Sequence, residues 1–334
     1  MTTVRHDRVA TGRLHEARGN PRLGLLLAMC TVVLWGFLSI ALKLLLEGMD
    51  AFTITWYRLT ISAVVLGLYQ AQRGRWPAIC RLDRSGWSLL AVALFGLLGN
   101  YILFLVSLNY VGPATAQLVI QLAPILFLLG GLLIFKEAFS RMQWVGLAVL
   151  VAGLLLFFNQ RLPALLSLSG TEAVGVGLVV VAGIVWAAYA LAQKQLLMRL
   201  SSVNILLLIY IASVVLLLPL ARPASILTLS PLHLALLVFC TFNTLGAYGC
   251  FAEALVHWEA SRVSAVIAVT PLVTIVAILG FVAIWPGTEM AAGLDGIGIV
   301  GGLVVVVGSV MTALGTRRGA EKRDRYISPS SSRL

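Results

Sequence analysis

The sequence predicts an all-α integral membrane protein of ten transmembrane helices, laid out as two inverted five-helix repeats with both termini cytoplasmic. Three observations lead there. Apolar runs long enough to cross about 30 Å of hydrocarbon recur from one end of the chain to the other. Basic residues gather in alternate connections between those runs. One part of the sequence is also repeated further along.

Of the 334 residues, 60% are hydrophobic and only 11% are charged, and the mean hydropathy is +0.99. A soluble domain carries charge on about a quarter of its residues, so lipid must solvate most of this surface. The formal charge of +11 raises the question of a nucleic-acid partner. The basic residues sit in short connections and in two tails rather than on one stripe, so no nucleic acid is expected and a lipid bilayer is.

Residues 1–22 are mostly polar, hold Arg5, Arg8, Arg13, Arg18 and Arg22, and read as a cytoplasmic tail. The run Leu23–Leu46 is too long for the core of a cleaved signal peptide and reads as the first span. Ala51–Gln70, Trp87–Asn109, Pro113–Phe135 and Met142–Asn159 complete a first repeat over 23–160. An outer linker follows at 161–173. A second repeat over 174–315 holds Val174–Gln195, Val203–Leu220, Leu232–His257, Ser261–Trp285 and Leu294–Leu314, and a cytoplasmic tail closes the chain at 316–334.

With the N-terminus inside, inner segments collect Arg73, Arg75, Arg81 and Arg84, then Lys136 and Arg141, then Lys194 and Arg199, then Arg262 and the basic C-tail. Outer segments hold only Arg161 and Arg222. That asymmetry satisfies the positive-inside rule for an even number of spans. Nine or eleven spans would put one basic tail outside.

The repeat is visible in one register from Gly24 onward: Gly24 falls on Gly175, Trp35 on Trp186, Ala41 on Ala192 and Lys43 on Lys194. The fourth span repeats in the ninth, where Tyr101, Val119, Ile120 and Pro124 fall on Tyr248, Val266, Ile267 and Pro271. An odd number of spans per copy forces the second copy to run upside down. Inverted duplication is the plan of many secondary transporters, with the substrate near the midplane between the halves.

The stretch from Trp35-Gly36 to Lys43, Arg58 in the second span, and Ala114 to Pro124 followed by Lys136-Glu137 resemble an EamA-type member of the drug/metabolite transporter superfamily. The resemblance runs from about Leu23 to Leu314. It implies ten helices in two inverted repeats and export of metabolites or drugs, and it is similar to bacterial exporters of amino acids, aromatic ones included. The acid that this family often carries after its second proline-containing helix is replaced here by Ala283-Ile284-Trp285-Pro286, with Glu289 displaced. Expected, then, is an inner-membrane exporter of small metabolites working by alternating access. The same fold with another substrate, such as a drug, is the alternative. An integral-membrane enzyme or receptor is the rival from another class, but the sequence has no HExxH, phosphate loop or Gly-x-Ser-x-Gly to support one.

Several residues qualify for the cavity. Gln117 and Gln121 share one face of the fourth span and either bind a zwitterion or join helices. Trp35, Trp186, Tyr189, Tyr101, Asn100, Asn243 and Tyr248 are placed to form an aromatic and polar cavity for a flat ring with a few polar groups. Pro124 and Pro271 free a backbone carbonyl in mid-helix and are expected to kink and gate. Glu253 is a carboxylate within a span, a candidate for coupling or for pairing with His257. Arg58 is expected to make an ion pair or to bind backbone carbonyls. Lys43 and Lys194 lie near helix ends, where snorkelling accounts for them. The glycines Gly293, Gly296, Gly298, Gly301, Gly302 and Gly308 mark a closely packed last helix, within the chain or against a partner. Cys30, Cys240 and Cys250 lie in apolar segments and Cys80 in a basic loop, without metal-ligand spacing, so neither metal nor cofactor is expected.

Overall fold

The computed structural model describes residues 19–74, 82–137, 139–157, 170–284 and 296–314. Expectations for residues 1–18 and for the C-terminal tail, for Arg75, Cys80 and Arg81, for Arg161 with most of its linker, and for Gly293 and Glu289 lie outside those residues, while Arg22 of the expected N-terminal tail already belongs to the first helix. Every regular element among the described residues is helical: α1 Pro21–Leu45, α2 Ala51–Gln72, α3 Arg84–Ser107, α4 Pro113–Val119, α5 Leu122–Ile134 and α6 Arg141–Phe157, then α7 Gly170–Leu196, α8 Ser202–Leu217, α9 Pro231–His257, α10 Ala260–Ile267, α11 Thr270–Ile284 and α12 Gly296–Leu314, with one 3-10 turn at Pro223–Thr228. Lipid offers backbone groups no partner, so segments this apolar satisfy themselves as helices. Seven stretches are long and apolar enough to cross a membrane; Arg141–Leu156, Ser202–Leu217 and Val300–Ala313 are apolar but shorter. Large side chains such as Leu26, Phe95, Leu133, Phe242 and Leu303 point outward, as lipid contact requires.

Helix starts are written in polar residues. Asp50 accepts from the Phe52 and Thr53 amides at 3.0 Å, and Ser230 precedes Pro231, the first residue of α9. Such caps are worth about 1 kcal/mol each.

The fourth and ninth expected spans differ from continuous kinked helices: each is broken in two just before its proline. Pro124 has no N–H for the carbonyl of Ile120, which instead accepts from the Ala123 amide at 2.8 Å. Pro271 leaves the Ile267 carbonyl free in the same way, and the Thr270 hydroxyl takes it at 2.6 Å. Losing the bond and avoiding the ring clash ends one helix and starts another.

Helix packing brings α1 against α9, α3 against α7, α2 against α8 and α6 against α12. Gly308, one of the glycines expected to mark a tight last helix, does so within the chain: a Cβ there would lie 2.6 Å from the Leu150 Cα of α6. A Cβ on Gly153 of α6 would lie 2.6 Å from the Val305 amide nitrogen of α12, and one on Gly146 would lie 2.7 Å from that of Thr312. Backbones this close leave no room for a side chain.

Candidate functional site

A cavity of about 90 Å³ lies where α1, α3, α7 and α9 converge on the two helix breaks, enough for several water molecules. One wall is aromatic. Trp35 of α1 meets Trp186 of α7 edge to face, with ring centroids 5.7 Å apart and planes at 78°, and Tyr248 of α9 packs on Trp35 at 5.1 Å. The edge of one ring meets the negative face of the next in such pairs. The other wall is polar, with Asn100, Gln117, Gln121, Ser39 and Thr270 joined by Leu38, Phe104 and Pro124.

The amides are held by the backbone around them. Asn100 donates through Nδ2 to the Ala182 carbonyl at 3.1 Å. Gln121 sits between α4 and α5, where it donates to the Gln117 carbonyl at 3.2 Å. Its Oε1 has no protein partner among the described residues. A ring and a hydrogen-bond donor together would satisfy this lining.

Seven of the residues singled out from the sequence therefore line one cavity: Trp35, Asn100, Gln117, Gln121, Pro124, Trp186 and Tyr248. Tyr101 and Tyr189 stand behind it. Tyr101 stacks on Tyr248 at 5.2 Å, and Tyr189 packs beside Trp186 at 6.3 Å. Asn243 joins α9 to α1 through the Leu34 carbonyl. Pro271 is buried beside Thr270 at the start of α11. Leu38, Ser39, Phe104, Ile120, Ala123, Ile267 and Thr270 complete the lining without having been singled out as site residues; being apolar or small, they carry no chemical signal.

Below this cavity the bundle is closed. Phe127, Tyr189 and Phe251 are each 0% exposed, and Trp186 packs on Phe251 at 5.2 Å and on Phe127 at 5.9 Å. Beneath that layer comes an ion pair, Glu137 with Lys194, whose side chains are 6% and 1% exposed. Lys194 is thus buried and paired rather than snorkelling. Glu137 also accepts from the Ala260 and Ser261 amides at 2.9 Å, so its charge sits on the first turn of α10, where the helix dipole favours it. Its position follows from the turn after α5: Lys136 adopts a left-handed φ of 52°, and Glu137 folds back to donate its N–H to the Gly131 carbonyl at 3.3 Å. Lys43, the repeat mate of Lys194, donates to the Leu108 carbonyl instead.

Two more contacts tie the same end. Asp83 caps α3 through the Gly86 amide at 2.7 Å and pairs with Arg199; that amide first, then Arg199, outweigh desolvation and hold the carboxyl below its ordinary range. His257 accepts from the Asn20 amide at 3.3 Å. Glu253 lies 3.7 Å from His257 and is 44% exposed, with the Ser202 hydroxyl donating to it. It is a half-exposed residue near a helix end. Arg58 is 1% exposed, and no carboxylate pairs with it among the described residues.

Comparison with known proteins gives a consistent result. The profile described as the EamA-like transporter family matches residues 22–159 and again 173–313. The chain is 40% identical over 296 residues to "Uncharacterized inner membrane transporter YhbE" of Escherichia coli K12, covering 88% of this chain and 92% of that one. It is 39% identical over 297 residues to an "Uncharacterized transporter" of Haemophilus influenzae, covering 88% and 96%. A solved crystal structure, 17% identical, superposes with a TM-score of 0.68 over 90% of this chain and all of that one.

Proposed function

The chain belongs to the EamA-like transporter family, and we propose that it exports small metabolites, aromatic and hydrophobic amino acids first among them, by alternating access at the central cavity. In this reading the apolar helices form ten spans, α4–α5 and α10–α11 each being one broken span. The spans make two inverted halves, 23–160 and 174–315, in the inner membrane with both termini cytoplasmic.

One observation carries the mechanism. Leu38, Ser39 and Phe104 line the cavity. Their repeat mates Tyr189, Ala190 and Phe251 are each 0% exposed. Leu38 and Ser39 are themselves only 9% and 1% exposed, so the contrast lies in what the positions meet: the cavity in one half and packed side chains in the other, as expected of an inverted scaffold in one of its two states. With basic segments inside, the cavity lies on the outer side of the closed layer.

Other features support the same reading. The family profile matches twice, once per half. In the repeat register α1 corresponds to α7 and α3 to α9, so the α1–α9 and α3–α7 contacts exchange with each other. Both crossings are bridged at equivalent places: Asn100 donates to the Ala182 carbonyl, and Thr31 donates to the Ala247 carbonyl at 3.2 Å. Asn100 corresponds to Ala247 and Thr31 to Ala182, so only the donor changes sides. In the closed half the Gln193 amide and the Tyr189 hydroxyl have no protein partner among the described residues. Each such buried orphan costs about 1–3 kcal/mol, and opening toward the cytoplasm relieves it.

The test is flux in proteoliposomes with a panel of labelled amino acids. Saturable, competable efflux that falls at least about tenfold in Gln121→Ala is expected, since an unpaired cavity acceptor is then lost. Absence of flux for every amino acid, with the protein shown to be folded, refutes the amino acid reading and turns the search to drugs, sugars and other metabolites.

A further inference from the structure

Arg58 presents a permanent positive charge in the middle of a span with no counter-charge among the described residues. Its Nε donates to the Thr244 hydroxyl at 2.8 Å, and its guanidinium carbon lies 4.7 Å over the Tyr101 ring. Its Nη2 has no protein partner among the described residues. A guanidinium does not neutralise itself by losing a proton. Every acidic residue in the sequence lies in a tail, in a connection or within about a turn or so of a helix end. The partners the structure gives Arg58 are neutral, the Thr244 hydroxyl and the Tyr101 ring, with Tyr248 packed on that ring. What the site lacks is an anion.

Two spaces approach it. On one side, Arg58 covers Tyr101, Tyr101 packs on Tyr248, and Tyr248 lines the central cavity, so two tyrosine rings separate the guanidinium from that space. On the other, a recess of about 750 Å³ opens between α2, α8 and α9. Of its lining residues, Leu66 stands about one helical turn from Ser62, which in turn stands one turn from Arg58 on α2. Arg73 and Arg199 stand at its mouth, with Glu253 beside them.

We infer that Arg58 is an anion subsite that takes the carboxylate of the exported solute. A planar guanidinium receives a carboxylate through two parallel hydrogen bonds. No acid lines either the cavity or the Arg58 surroundings among the described residues, so the ammonium of an amino acid gains no ion pair there. Recognition rests on the acid: an aromatic carboxylate without an amine binds as well as the amino acid, and an aromatic amine without a carboxylate does not. This rests on the transporter reading above.

The experiment is competition against labelled phenylalanine efflux in proteoliposomes by 3-phenylpropionate and by phenethylamine, with thermal stabilisation of the detergent-purified full chain as a second readout. Expected is competition by 3-phenylpropionate within about threefold of unlabelled phenylalanine, and none by phenethylamine at tenfold excess. Arg58→Gln is expected to weaken phenylalanine at least about tenfold, and Arg58→Lys to weaken it less, because the charge remains but the fork does not. The comparison of acid with amine uses the unaltered protein, so it holds even where a variant fails to fold. Equal competition by phenethylamine, or unchanged affinity in a folded Arg58→Gln, overturns the anion subsite while leaving transport intact. No flux and no stabilisation with any of the three overturns the substrate reading and the subsite together.

Discussion

Glu137→Ala is expected to unlock the closed end of the bundle. The substitution leaves Lys194 charged at 1% exposure and frees the Ala260 and Ser261 amides that Glu137 now accepts from. Removing one partner of a buried ion pair costs about 3–5 kcal/mol. Carrying a two-state equilibrium from one extreme to the other takes about 5.5 kcal/mol, so the loss suffices to move much of the population. The pair joins the end of α5 to α7 and α10, which lie in different halves, so the cost falls on the state that holds those halves together there. A thiol placed by Ala190→Cys reports it: protected from the cytoplasmic face with Glu137 present, labelled at least about tenfold faster in Glu137→Ala. Adding Lys194→Met removes the stranded charge, so thermal stability recovers while labelling stays fast. Unchanged protection in Glu137→Ala would show that the pair is not part of the closure.

The second large effect is at the tryptophan pair, where stability and transport are expected to separate. Trp186 is 4% exposed and touches Trp35, Phe127, Tyr189 and Phe251. Truncating so large a buried aromatic costs about 3–5 kcal/mol, so Trp186→Ala is expected to lose both melting temperature and flux. Trp35 is less buried and faces the cavity, so Trp35→Ala is expected to lose flux with a smaller loss of stability. Melting curves and efflux rates on both variants check this. Equal destabilisation, with transport retained in Trp35→Ala, would make Trp35 a packing residue and no part of the pathway.

Much of this arrangement is legible in the sequence because lipid makes it so. With no water to satisfy backbone groups, a long apolar run has to be helical, and polar or aromatic residues that recur in a repeat register stand out against it. Trp35 with Trp186 and Tyr101 with Tyr248 were visible in that way, as were the two amides one turn apart and the two prolines. What escaped depends on geometry that side-chain type does not encode. The left-handed turn at Lys136 has no glycine to announce it, so neither the position of Glu137 nor the burial of Lys194 follows from a lysine near a helix end. The prolines signalled a lost hydrogen bond, but whether a helix bends or breaks is decided by which donor takes the freed carbonyl, here the Ala123 amide and the Thr270 hydroxyl. Glu253 read as a carboxylate within a span, and its exposure comes from its place near the end of α9. Arg58 read as half of an ion pair or a donor to backbone carbonyls, and only the fold reveals that no acid among the described residues pairs with it and that its Nε meets the Thr244 hydroxyl.

The most direct measurement of alternating access is paired thiol labelling of Ser39→Cys and Ala190→Cys, repeat mates of which the first lines the cavity and the second lies in the packed core, in a background where the four native cysteines are replaced by alanine. The account predicts that Ser39→Cys reacts from the outer face while Ala190→Cys is protected, and that Glu137→Ala reverses both. Labelling of both positions from one face in every condition, or a change at one without the opposite change at the other, would contradict it.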